Sequence, residues 1–123
     1  CQVAAIEALE VPQDHFKYRV EQYRLRRDYV MKRISEIPGL SCHAPAGTFY
    51  AFIDISQLGM PCEEFAMKLL EERQVVVVPG TAFGEFGEGY IRLSYATSMQ
   101  CLEQGLQELE EFVRSHKTEG DPA

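Results

Sequence analysis

The chain has 123 residues, 46% of them hydrophobic and 25% charged, a balance that excludes a collagen, a low-complexity tract and a disordered chain. Its 19 acidic and 12 basic side chains give a formal net charge of -7, which repels phosphate backbones and anionic lipid, so neither nucleic acid nor a membrane is an expected partner. At this size folding buries roughly two-thirds of the unfolded chain's surface, enough for one ordinary core.

Residues 2–9 read as a short apolar helix that ends before Pro12, and Asp14 suits the N-cap of a long helix over 15–37. Along that helix Phe16, Val20, Tyr23, Val30, Ile34 and Ile37 recur at three- and four-residue steps, and Tyr18, Leu25 and Tyr29 add a second stripe. So broad an apolar face predicts packing against more than one layer. The basic residues Arg19, Arg24, Arg26 and Arg27 are mixed with Glu21 and Asp28 and read as a solvated face. Pro38 and Gly39 stop the helix.

A turn-rich stretch over 43–47 leads into an aromatic, β-branched strand over 48–54. Pro61 then opens a helix that ends near Arg73, with Phe65, Ala66, Leu69 and Leu70 on one apolar face. The four valines from Val75 to Val78 predict a short strand buried on both faces. Residues 80–89, with four glycines, read as a loop, and 90–96 alternate as a third strand. Thr97 and Gln100 have the spacing of a capping box for a last helix, whose stripe is Leu102, Leu106, Leu109 and Val113. The expected layout is a connector over 1–13, a long helix over 14–37, an α/β body over 38–116 and a flexible tail over 117–123. The fold class this predicts is α/β, a two-layer sandwich with a short mixed sheet of about three strands covered by helices.

Cys1, Cys42, Cys62 and Cys101 form no CxxC pair, and His15, His43 and His116 are not spaced beside them as metal ligands. Cys62 and Cys101 fall in helical patterns and read as small apolar residues. The expectation is a reducing, cytoplasmic compartment and no metal. The chain opens on Cys rather than Met, which suggests a piece of a longer protein.

Three features carry candidate chemistry. Arg92 stands in an apolar strand between Ile91 and Leu93, where it must either meet a carboxylate or face solvent. Its planar fork suits a carboxylate, to which it can give two parallel N–H bonds. The loop over 79–89 is glycine-rich but lacks GxGxxG and a P-loop lysine, so a tight connection competes with a phosphate cradle. Gly47, ahead of Phe49 and Tyr50, marks either a close approach to the backbone or a plain turn. Phe49, Tyr50 and Phe83 suit a pocket for apolar side chains or an ordinary core equally well.

Taken together and in order, "RVEQYRLRRDYV", "IPGLSCHAPAGTFYAFIDI" and "VVVVPGTAFGEFGEGYIRLSYATS" resemble the C-terminal part of a class I/II aminotransferase, the fold-type-I pyridoxal-phosphate family. The resemblance runs from "QVAAIEAL" to the last helix, and its most specific element is PG-x-x-FG followed by GYIRLSYA. It implies a small-domain-like fold in which Arg92 grips the substrate α-carboxylate and Gly47, Thr48 and Phe49 line the substrate pocket. Pro79, Gly80, Phe83 and Gly84 match the loop at the family's pocket mouth and are expected to shape it. The family's Schiff-base lysine lies upstream in a serine-rich segment, and Lys17, Lys32, Lys68 and Lys117 match no such motif. The resemblance therefore implies no catalytic or cofactor-binding residue in this chain. Pyridoxal phosphate belongs to the intact parent and is not expected on this chain alone, which is expected to be inactive. The implied partners are the missing large domain, an amino acid and a 2-oxo acid, in a parent that is a homodimer. Two other readings stay open: a non-catalytic binding module with the same fold, or the same domain of a pyridoxal-phosphate lyase or decarboxylase.

Overall fold

Alternation by two in segments 50–54 and 90–94, and three- to four-residue spacing in the long segments between and around them, set the layers. The computed structural model describes residues 1–120 of the chain, with side chains to His116. Its elements are α1 (Gln2–Glu10), α2 (Lys17–Glu36), β1 (Ser41–Cys42), β2 (Tyr50–Asp54), α3 (Cys62–Arg73), β3 (Val78–Pro79), β4 (Tyr90–Ser94) and α4 (Met99–Gly120), with short 3-10 turns between them. The strands lie in the order β1-β2-β4-β3, and every neighbouring pair is antiparallel.

This corrects the expectation of a mixed sheet of about three strands. The additional strand, β1, pairs only Ser41 with Asp54 and Cys42 with Ile53, too short a run to show any alternation. The four-valine strand is also displaced. Only Val78 and Pro79 pair with β4, while Val76 is 74% exposed. The strand lies at the sheet edge, where Pro79 can sit without a ladder donor, and only Val77 of the preceding residues turns fully into the core.

One face of β2 and β4 meets the helices. Ala51, Ile53, Ile91 and Leu93 are buried there with Val30, Ile34 and Ile37 of the α2 end, Phe65 and Leu69 of α3, and Leu102, Leu106, Leu109, Phe112 and Val113 of α4. Phe65 and Phe112 meet edge to face at 5.1 Å between ring centroids. The α2 stripe is buried only in its C-terminal half, since Tyr18, Val20 and Leu25 are exposed and α1 buries nothing. The broad face therefore packs on one layer, the core, and leaves its first turns uncovered among the described residues.

Helix ends differ from the expected caps. Asp14 lies in a 3-10 turn and pairs with Lys17 at 2.8 Å, while α2 starts after Phe16 with no side-chain cap. Ser98, not Thr97, caps α4: the Cys101 amide donates to Ser98 Oγ at 3.2 Å. Cys101 is exposed on that first turn, whereas Cys62 is fully buried. α4 runs to Gly120, into the segment expected as a tail, and residues 121–123 lie outside the described ones. Among the described residues no helix is long and apolar enough to cross a membrane.

Candidate functional site

The even-numbered residues of β2 and β4 point away from the helices, and the register sets Phe52 opposite Arg92, Tyr50 opposite Ser94 and Asp54 opposite Tyr90. Arg92 thus stands on the sheet face that no α-helix covers among the described residues. Its guanidinium carbon lies 4.1 Å from the Tyr50 ring centroid and 4.8 Å from that of Phe83, a position that cation–π attraction favours. Arg92 Nε is buried with no hydrogen-bond partner among the described residues. Other arginines are paired: Arg33 with Glu110 at 2.7 Å, Arg73 with Glu111 at 3.0 Å, Arg24 with Glu21 at 2.8 Å. The carboxylate sharing Arg92's face, Asp54, is engaged elsewhere, accepting from the Ser56 amide at 2.8 Å and hydroxyl at 2.6 Å.

Phe83 reaches Arg92 from the 3-10 turn Gly80–Phe83, and several contacts hold that turn in place. Gly80 and Gly87 approach so closely that a Cβ on either would run into the other's carbonyl oxygen. Glu88 accepts from the Cys62 amide at 3.1 Å and from its thiol at 3.3 Å, tying the loop to the start of α3. Thr81 Oγ1 donates to Glu63 at 3.0 Å. The glycine-rich loop is therefore a stapled connection that carries an aromatic ring, as its spacing without a phosphate motif allows.

Gly47, Thr48 and Phe49 lie in a neighbouring groove of about 320 Å³, formed with Val20, Tyr23, Arg27 and Tyr95. The buried Tyr95 hydroxyl donates to the Thr48 carbonyl at 3.0 Å, and burial raises its pKa, an effect that Arg27 opposes. Thr48 has a φ of 64°, a left-handed conformation unusual for a β-branched residue. No hydrogen bond or ring contact joins these three residues directly to Arg92 among the described residues. The link runs through rings: Phe49 packs on Tyr50 at 4.4 Å, and Tyr50 lies over the guanidinium.

With this geometry in view, comparison with known proteins decides the family. The chain matches the family of class I and II aminotransferases over residues 1–109. It belongs to that family. It is 44% identical over 119 residues to an aspartate aminotransferase of Pyrococcus horikoshii, a match covering 94% of this chain and 30% of that protein. An alanine aminotransferase from Pyrococcus furiosus superposes with a TM-score of 0.85 at 36% identity, over 93% of this chain and 29% of the other. A PLP-bound protein of Clostridium difficile 630 aligns with a TM-score of 0.77 at 28% identity, over 82% of this chain and 26% of that one. This aminotransferase-family chain thus spans about 30% of the length of the curated relatives it matches.

Phe52 and Tyr90 complete the surroundings of Arg92; both lie inside the stretches that carry the family resemblance, but neither was expected as a site residue. The pattern that finds them is the two-residue alternation shared with Arg92. The described lysines stand apart from this face: Lys17 pairs with Asp14 at 2.8 Å, Lys68 with Glu64 at 2.7 Å, and Lys32 is exposed on α2, while the Lys117 side chain lies outside the described ones.

Proposed function

We propose that the chain is the C-terminal small domain of a pyridoxal-phosphate aminotransferase, and that Arg92 binds the α-carboxylate of the amino-acid and 2-oxo-acid substrates. The observation that carries this reading is Arg92 itself. A guanidinium packed against two rings, whose buried Nε has no hydrogen-bond partner among the described residues, suits a planar, doubly accepting ligand. The Tyr50 and Phe83 rings set the plane of the fork before a ligand arrives, which lowers the ordering cost of binding. Gly47, Thr48 and Phe49 act from the neighbouring groove by carrying Tyr50 to its place over the guanidinium, with the Thr48 carbonyl tied to Tyr95.

Pyridoxal phosphate supplies the electron sink for chemistry at the substrate's Cα. The residues around Arg92 fit the carboxylate end of such a substrate and not the cofactor, because no lysine among the described residues stands on this face. The chain's own part is to bind and orient, and alone it holds no cofactor and is inactive. The large domain of the parent supplies the lysine and the phosphate contacts, and the parent is a homodimer. The exposed stripe of Tyr18, Val20 and Leu25 suits the contact with that large domain. Four free cysteines suit a reducing, cytoplasmic setting.

The test is Arg92→Lys in the full-length protein. Losing the two-pronged charge pair costs about 2 kcal/mol or more, so kcat/KM should fall at least about 30-fold for every amino donor. Unchanged kcat/KM across a panel of amino acids would sink the reading.

A further inference from the structure

Two successive carbonyls ahead of β2 are held by the residue that follows β4. The Tyr95 amide donates to the Phe49 carbonyl at 2.8 Å, and the Tyr95 hydroxyl donates to the Thr48 carbonyl at 3.0 Å. Both peptide planes that flank Phe49 are thereby fixed, and its two backbone dihedrals with them. The segment needs such a hold. Thr48 stands at a φ of 64°, a conformation that costs a β-branched residue and persists only where its surroundings impose it. Gln74, the other non-glycine residue with a positive φ among the described ones, is a left-handed helix end of the common kind. Thr48 ends no helix, and its side chain is exposed, so what holds it acts through the backbone. Tyr95 itself is 1% exposed, its ring beside that of Tyr23 at 6.5 Å, so its hydroxyl is presented from a packed core.

We infer that Tyr95 is a positioning residue for the substrate carboxylate: its hydroxyl latches Thr48 in the left-handed conformation and so keeps Phe49 packed on Tyr50, the ring that lies over Arg92. The inference rests on the reading of Arg92 as the carboxylate anchor. The contacts from hydroxyl to guanidinium are continuous. The Thr48 carbonyl lies 3.0 Å from the Tyr95 hydroxyl, the Phe49 and Tyr50 rings are 4.4 Å apart, and the Arg92 guanidinium carbon is 4.1 Å from the Tyr50 ring centroid. Without the hydroxyl Thr48 relaxes toward a negative φ, and the Phe49 and Tyr50 rings lose their set place. The Arg92 fork is then ordered only as the substrate arrives, which weakens binding and leaves the reacting atoms untouched. Tyr95 follows Arg92 by three residues, so the latch and the receptor belong to one stretch of chain, with the Tyr95 ring in the core and Arg92 on the opposite face.

The experiment measures kcat and KM of the full-length protein for the amino donor of highest kcat/KM in a panel of L-amino acids. The sequences compared are the parent, Tyr95→Phe, Thr48→Gly, the double variant and Arg92→Lys. Tyr95→Phe should raise KM about fivefold and leave kcat within about twofold, as the loss of binding shared by ground and transition states does. Glycine takes a positive φ without strain, so adding Tyr95→Phe to Thr48→Gly should raise KM by less than about twofold. A purely structural role for the hydroxyl would lower the melting temperature alike in both backgrounds and leave KM unmoved. An unchanged KM in Tyr95→Phe, or an equal rise in both backgrounds, overturns the inference even where Arg92→Lys is crippling. Should Tyr95→Phe fail to fold, the double variant set against Thr48→Gly keeps the test open, and a rise in KM of about fivefold there overturns it. Indifference to Arg92→Lys overturns the carboxylate reading and this inference with it.

Discussion

The two faces of the β2–β4 pair follow opposite rules. On the inner face Ala51, Ile53 and Ile91 are 0% exposed and meet only apolar neighbours from three helices. On the outer face, one residue along, Tyr50, Phe52, Tyr90 and Arg92 keep part of their surface, and the buried nitrogen of the charge among them has no partner among the described residues. The inner face is complete as it stands, because apolar groups ask only to leave water. The outer face is incomplete, because a buried guanidinium nitrogen without an acceptor is costly until something supplies one. What separates the two roles is a shift of a single residue along each strand.

Three measurements would break or sharpen that contrast. The largest effect belongs to the inner face: Ile53→Ala opens a cavity among residues with no freedom to close it, and urea unfolding should show a loss of about 2–5 kcal/mol. A loss below that of a surface substitution would mean the helices do not depend on this face. Next comes the staple that serves the outer face. Gly80→Ala puts a methyl group into the Gly87 carbonyl and should cost about 1–3 kcal/mol of stability as the loop is forced aside. Thermal unfolding indistinguishable from the parent would show that the loop moves freely, which would undercut its role in holding Phe83.

The smallest effect contrasts a paired arginine with Arg92. Arg114 first, and then Arg33, hold the Glu110 carboxyl below its ordinary value of 4.5. A carboxylate lowered in the folded state adds stability above its unfolded pKa, and that stability is lost as pH falls through the folded value. Glu110→Gln should therefore remove at most about 1 kcal/mol at neutral pH and flatten part of the loss of stability below pH about 4.5. The check is a series of melts from neutral to acid pH; a variant with the parent's acid slope would show that this pair is not a stabilising contact.

Much of this is legible in the amino-acid sequence. The alternation of β2 and β4 and the stripe of α4, with Leu102, Leu106, Leu109 and Val113 all buried, follow from spacing alone because one buried face repeats with the period of the element. Arg92 stood out because arginine between Ile91 and Leu93 is anomalous in an apolar strand. The four valines misled for an equally physical reason. A β-branched apolar run looks the same in an edge connection as in a central strand, and it is the neighbours that decide; here Gln74, at a φ of 58°, ends α3 and lets Val76 face water. The cap went to Ser98 rather than Thr97 by one position, within the reach of the same motif.

Sequence alone determined which residues alternate, where the helices run, that an arginine needing a partner sits in a strand, and which family motifs surround it. These are properties of near neighbours along the chain, so short-range sterics and period carry them. Tertiary structure alone decided that Ser41 and Cys42 make a strand and that all four strands run antiparallel. It also decided that Asp54 is spent on Ser56 and that Tyr50 and Phe83, 33 residues apart by number, close on one guanidinium. Those outcomes depend on which distant segments share a face once the chain has folded, and no local pattern encodes that choice.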